Sequence, residues 1–329
     1  MTQMRARAFR RGLAPLRFTL LAGLAACATT NAHPGAVAIA EFPIAQLGDR
    51  WPGAITEGPD GAVWFTELHG HRIGRITADG KITEYRLPHD DAKPGGIAAG
   101  PDGALWFTVP NYRSLGRITT SGDIRLFEVS DDPKARPAGI AAGPDGNVWF
   151  TEPLAGKIGR FAIRGKIATF AVAESHAVPQ NIVAGPDGAL WFTDRGRNAI
   201  GRISTGGSVR EYTLGSRAPN DVSGLAVGPD RELWFSEPLS RRIGHITTAG
   251  TVTTFPIPQG NPGAVAAAPQ GDVWFTVVNP NAIGRSSTSG EITETALPGP
   301  DVPAGITAAN ADTAWFAVYS DDKIGRAGI

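Results

Sequence analysis

The chain has 329 residues, 31 basic and 31 acidic side chains, 42 glycines, 26 prolines and a single cysteine. A charge balance without basic excess disfavours a general affinity for nucleic acid or anionic lipid, and one cysteine excludes a disulfide-stapled fold. A chain of this length can bury a large core without such staples.

Arg5, Arg7, Arg10, Arg11 and Arg17 make a basic stretch ahead of an apolar segment at 18–26. That segment is too short for a permanent membrane span and reads as a signal peptide. It ends Leu24-Ala25-Ala26-Cys27, which looks like a bacterial lipobox with Cys27 as the acylated residue. Ordinary cleavage near Ala26 or Ala32 is the alternative, and Arg10-Arg11 admits twin-arginine as well as general export. The expectation is residues 1–27 as signal peptide and 28–36 as linker. The product is then an exported periplasmic or cell-envelope lipoprotein, touching membrane only through its lipid. Five arginines and no acids precede Cys27, so the mature chain counts 26 basic against 31 acidic side chains.

Residues 37–329 repeat. Tryptophan recurs as Trp64, Trp106, Trp149, Trp191, Trp234, Trp274 and Trp315, with Trp51 outside the series. Spacings of 40 to 43 residues between these positions, with strand-like segments in each unit, are the signature of propeller blades. In the unit at 94–129, Gly96-Ile97-Ala98-Ala99 is a small-residue inner strand and Gly100-Pro101-Asp102-Gly103 a turn. Leu105-Trp106-Phe107-Thr108-Val109 is apolar almost throughout, as suits a strand covered on both faces. Leu115-Gly116-Arg117-Ile118 follows, and Ile124-Arg125-Leu126-Phe127-Glu128 alternates like an outer strand. The predicted fold is therefore all-β, a seven-bladed β-propeller of four-stranded antiparallel blades. The last unit stops at Ile329 without an outer strand, while Val37-Ala38-Ile39-Ala40-Glu41-Phe42-Pro43-Ile44 is a surplus one. That segment is expected to close blade seven and remove two exposed sheet edges. A monomer is expected.

Some repeated polar residues read as scaffold. Arg75, Arg117, Arg160, Arg202, Arg285 and Arg326 share one position, with His245 standing in once. They are expected to pack or form ion pairs between blades, and the Pro-Asp turns to carry no metal. Function on a repeat scaffold sits where the repeats disagree, in the loops at one end of the axis. After the Trp strands, Glu67, Glu152, Asp194 and Glu237 share a position that could gather carboxylates at the mouth. With His69 or His71 they are candidate ligands for a divalent cation, the alternative being solvated charge. The candidate ligand-binding rim is Glu67, His69, His71, Glu152, Asp194, Arg195, Glu237 and Tyr319 around a funnel at Gly53, Gly95, Ala138, Gly263 and Ala304.

The unit Trp-Phe-Thr-Glu, then Ile-Gly-Arg-Ile-Thr and Gly-x-Ile-Thr-Glu-Tyr-x-Leu-Pro, resembles the streptogramin B lyase (virginiamycin B lyase) family across residues 37–329. The resemblance implies a seven-bladed propeller that opens a cyclic depsipeptide by elimination, with a histidine base and carboxylates holding Mg²⁺. Where the family places histidines, this chain has Gly263 and Ala304; where it places glutamates, Val302 and Tyr319. The matching positions in the seven entering loops are Gly53, Gly95, Ala138, Gln180, Ser223, Gly263 and Ala304, and none is a histidine. No catalytic residue is assigned from the family. Three readings follow. One is a non-catalytic binder of a peptide, glycan or protein, needing no cofactor. The second is a carbon–oxygen lyase acting with Mg²⁺. The third is a lactonase-like hydrolase using a metal at the acidic mouth.

Overall fold

The computed structural model describes residues 37–44, 50–172, 176–215, 220–268 and 271–329. The leader, Cys27 and the linker at 28–36 lie outside the described residues. Blade one runs from axis to rim as Pro52–Glu57, Val63–Glu67, Arg72–Ile76 and Ile82–Arg86. The pattern recurs to give seven four-stranded antiparallel sheets. Among the described residues helix is confined to one 3-10 turn, Pro110–Tyr112, and none is long and apolar enough to cross a membrane.

The ring closes as the surplus strand requires. Blade seven is Pro303–Asn310, Thr313–Val318 and Lys323–Gly328, and its outer strand is Ala38–Pro43. Ala38 lies opposite Gly328 and Pro43 opposite Lys323. Phe42 packs on Trp315 with ring centroids 5.4 Å apart, the place that Tyr85 takes on Trp64 and Phe127 on Trp106. Lys323 adds ion pairs to Glu41 of the closing strand and to Asp301, both at 3.3 Å. A strand from the start of the chain thus completes the sheet built at its end.

The second strands form the core. All five residues of Leu105–Val109 are buried, as are those of Val148–Glu152 and Leu233–Glu237. Each fully buried phenylalanine contributes about 1.5–3 kcal/mol from removed apolar surface. The facing glycine of the third strand makes the fit possible, since a Cβ on Gly116 would stand 2.0 Å from Phe107 Cζ.

The repeated Asp, Trp and Arg form one device. Asp102 accepts the Trp106 indole N–H on Oδ1 (2.9 Å) and the Arg117 Nε–H on Oδ2 (2.6 Å). Asp60 and Asp187 do the same for Trp64 with Arg75 and for Trp191 with Arg202. Burial alone would raise these carboxyls, but the indole and guanidinium outweigh it and hold all three below the usual range. The arginines therefore pair mainly within a blade, which corrects the expectation of pairing between blades. Arg160 and Arg326 do cross, donating to Thr205 O and Ala78 O of the next blade. Hydroxyls of the second strands make a further inter-blade link. Thr151 Oγ1 accepts from Gly139 N and donates to Gln180 O at 2.7 Å, and Ser236 Oγ donates to Gly263 O at 2.6 Å.

Candidate functional site

The seven inner strands enclose an axial cavity of about 470 Å³. Small residues at Ala54, Gly96, Gly139, Gly224, Ala264 and Gly305 let the strands converge, and the polar side chains on its wall are Thr56, Asn181 and Ser223. The described lining holds no histidine, carboxylate, lysine or arginine. Gly263 and Ala304 each precede a lining residue and so stand at the mouth, on the face of the entering loops. A Cβ on Gly263 would meet Thr276 Oγ1 at 2.7 Å. That hydroxyl already accepts from Ala264 N at 2.9 Å, so the local backbone is fitted to glycine.

The four carboxylates expected at the rim are buried inside their own blades. Glu67 and Asp194 have no measurable exposure, and Glu152 and Glu237 have 1% each. Among the described residues they form no shared ligand cluster, and the acidic mouth is corrected accordingly. Asp194 Oδ1 accepts Val178 N (2.8 Å) and Arg197 N (3.2 Å), tying two loops together. Glu237 pairs with Arg242 at 3.0 Å. Glu67 lies 3.9 Å from Arg50 Nε, and burial, reinforced by the charge of Glu84, pushes its carboxyl up to about 8. A proton there lets Glu67 donate to Glu84. Glu211 is pushed to about 7 by burial and by its neighbour Asp194, and burial also raises Glu152.

The mouth carries aromatic surface instead. Trp51 is 41% exposed and stacks on His69, with centroids 4.2 Å apart and planes 15° apart. Tyr319, 38% exposed, tilts toward Trp51 at 5.9 Å. The three residues bridge the seam between blades seven and one. Trp51 has φ +50°, a left-handed conformation that bulky residues avoid. Its N–H donates to Asp322 Oδ1 (3.0 Å) and its carbonyl accepts Leu68 N (3.1 Å), which holds it there. Leu154 and Leu239, 62% and 67% exposed, lie in loops after the Trp strands on the same face. The rim is more apolar than the sequence suggests.

The remaining candidates are scattered. His71 Nδ1 is bonded to Ala92 O at 2.9 Å. Arg195 is exposed in blade four, its guanidinium 3.5 Å from Asn220 O. Of the predicted rim residues, His69 and Tyr319 come together through Trp51.

Comparison with known proteins adds the lineage. The family model for the Virginiamycin B lyase family matches residues 32–222 and again 176–329. Virginiamycin B lyase of Bordetella pertussis is 39% identical over 57 residues, covering 17% of this chain and 19% of that protein. The chain thus aligns with about a fifth of the length of that curated relative. Structural likeness runs further. The crystal structure of virginiamycin B lyase from Staphylococcus aureus superposes with TM-score 0.83 and 37% identity, covering 89% of this chain and 100% of that one. A histidine-to-alanine variant of the same enzyme, described as catalytically inactive and solved with quinupristin, matches equally. A streptogramin B lyase structure matches with TM-score 0.83 and 32% identity, over 89% and 97% of the two chains.

Proposed function

The chain belongs to the virginiamycin B lyase family, and from that premise we propose that it is a ligand-binding propeller without the family's elimination chemistry. The ligand class is a peptide or peptide-like macrocycle, bound at the axial mouth against Trp51, His69 and Tyr319. The observation that carries this reading is the replacement of the implied bases and metal carboxylates by Gly263, Ala304, Val302 and Tyr319. Glycine and alanine cannot accept a proton. Mg²⁺ asks for several oxygen ligands in near-octahedral array; three of these side chains offer none and the fourth offers a single phenol oxygen. The residues do not fit the ion. A platform of exposed aromatic rings beside a cavity with few polar groups suits capture by stacking and burial.

The competing reading is a carbon–oxygen lyase on cyclic depsipeptides. It draws on 37% identity across the whole S. aureus enzyme, and it needs a base from outside the four positions. The lactonase-like reading loses its support, because its proposed ligands Glu67, Glu152, Asp194 and Glu237 are buried in separate blades. Export and lipid attachment at Cys27 belong to the same proposal.

Calorimetric titration with quinupristin tests binding. Saturable one-to-one binding is expected, weakened about tenfold by Trp51→Ala, which corresponds to ~1.4 kcal/mol. No heat of binding at any accessible concentration, or equal affinity in both proteins, would show that the Trp51 platform does not capture this ligand.

A further inference from the structure

Blade five departs from the Asp–Trp–Arg device at two linked positions. Asp230 keeps its contact with the Trp234 indole N–H, at 3.1 and 3.0 Å to its two oxygens. The arginine of the other six blades is replaced by His245. A carboxylate, Glu232, stands where blades one, two and four have Ala62, Ala104 and Ala189; blade six also has one there, Asp272, but it pairs with Arg285 at 2.6 Å rather than with a histidine. The two changes face each other, since His245 Nδ1 contacts Glu232 Oε2. One ligand atom from each of Asp230, Glu232 and His245 falls within 4.8 Å of the others, and among the described residues no other such group occurs.

We propose that Asp230, Glu232 and His245 bind a divalent transition-metal ion of the Zn²⁺ class, with water completing its coordination. The donor set selects the class: imidazole nitrogen suits zinc, nickel, copper and cobalt, whereas magnesium and calcium favour all-oxygen sites. Donors around such an ion sit ~2.0–2.2 Å from it, so small side-chain rotations from the present separations bring all three into reach. The surroundings hold the ligands in place. His245 is stacked on Trp234 (4.8 Å, 26°) and on Phe255 (5.7 Å, 20°), which fixes its ring plane. The Trp234 indole and the Glu232 backbone N–H both donate to Asp230 and orient its carboxylate, as the partners of metal ligands commonly do. The Glu232 side chain is 27% exposed and the His245 side chain 15%, so water and an ion can enter from the surface.

The chain path puts this site on the face opposite the axial mouth, in the turn that joins the inner and second strands. The ion takes over a mechanical role: it clamps the turn to the third strand, as the aspartate–arginine pair does in blades one, two and four. A plain His–Glu ion pair would fill the same gap without metal, and the two accounts separate by experiment. The untagged full chain, stripped with chelator, is titrated with Co²⁺ and followed by visible absorption. One Co²⁺ per chain is expected, with ligand-field bands that Zn²⁺ abolishes, and Zn²⁺ should raise the melting temperature. His245→Arg restores the residue of the other six blades, so the fold should be retained, as circular dichroism will show. In that variant and in Glu232→Gln, Co²⁺ affinity should fall at least tenfold and the Zn²⁺ stabilisation should vanish. Absence of Co²⁺ bands in the parent chain, or undiminished binding in either folded variant, overturns the proposal.

Discussion

Glu67 should make the propeller lose stability as pH rises, and Glu67→Gln should remove that loss. The carboxyl has an ordinary value of 4.5 and is pushed to about 8 in the folded chain by burial and by Glu84. Between those limits the native state binds more protons than the unfolded state, so stability falls as pH rises through the window. The slope reaches ~1.4 kcal/mol per pH unit, and the whole window is worth on the order of 3–5 kcal/mol. Neither Glu67 oxygen has a hydrogen-bond partner, and Arg50 Nε is 3.9 Å away. That compensation is too weak to cancel the burial of the charge. Glutamine keeps the shape and the donor toward Glu84 but cannot ionise. Urea unfolding of parent and variant at each pH from 5 to 9 reads the difference directly. The two proteins should be nearly equal at pH 5, with the variant increasingly more stable toward pH 9. Parallel profiles across that range would refute the reasoning, because they would mean that Glu67 stays ionised at little cost.

Deleting residues 37–44 should expose the Lys323–Gly328 edge and one face of Trp315, giving a lower melting temperature and aggregation in light scattering; an unchanged monomer would contradict the closure. Asp102→Ala should leave the Trp106 indole and Arg117 without their shared acceptor and cost about 1–3 kcal/mol in chemical denaturation. Cys27→Ser should move the protein from the membrane to the soluble envelope fraction without altering its melting temperature, and continued membrane retention would count against the lipid anchor.

The architecture is legible in the sequence because the repeat carries its own packing instructions. The tryptophan spacing counts the blades, and the glycine of Ile-Gly-Arg makes room for the phenylalanine of the strand beside it, as Gly116 does for Phe107. Phe42 lies in a strand-like segment matching Tyr85 and Phe127, which is enough to assign it to blade seven. The carboxylates at the ends of the second strands are harder to read, because an acidic residue beside a loop reads as wet. A signal was available: the position of Glu67, Glu152, Asp194 and Glu237 holds Val109, Val277 and Val318 in the other blades. Three valines at one register mark it as dry. Trp51 lies outside the repeat, so periodicity says nothing of it, and its left-handed backbone depends on Asp322, 271 residues away in sequence. His245 is visible as the single departure from arginine, and Glu232 lies at a position that also varies to Asn147, Asp272 and Thr313, but their juxtaposition follows only from pairing His245 with Trp234 across two strands.

On this reading the propeller binds without eliminating. The direct measurement is incubation of the purified chain with quinupristin and Mg²⁺, followed by liquid chromatography with mass detection. Elimination opens the ring at constant mass and shifts retention, whereas hydrolysis adds the mass of water. Unchanged mass and unchanged retention are expected after many hours at micromolar protein. An isomeric product with shifted retention, formed in proportion to protein concentration, would contradict it and return the chain to the lyases.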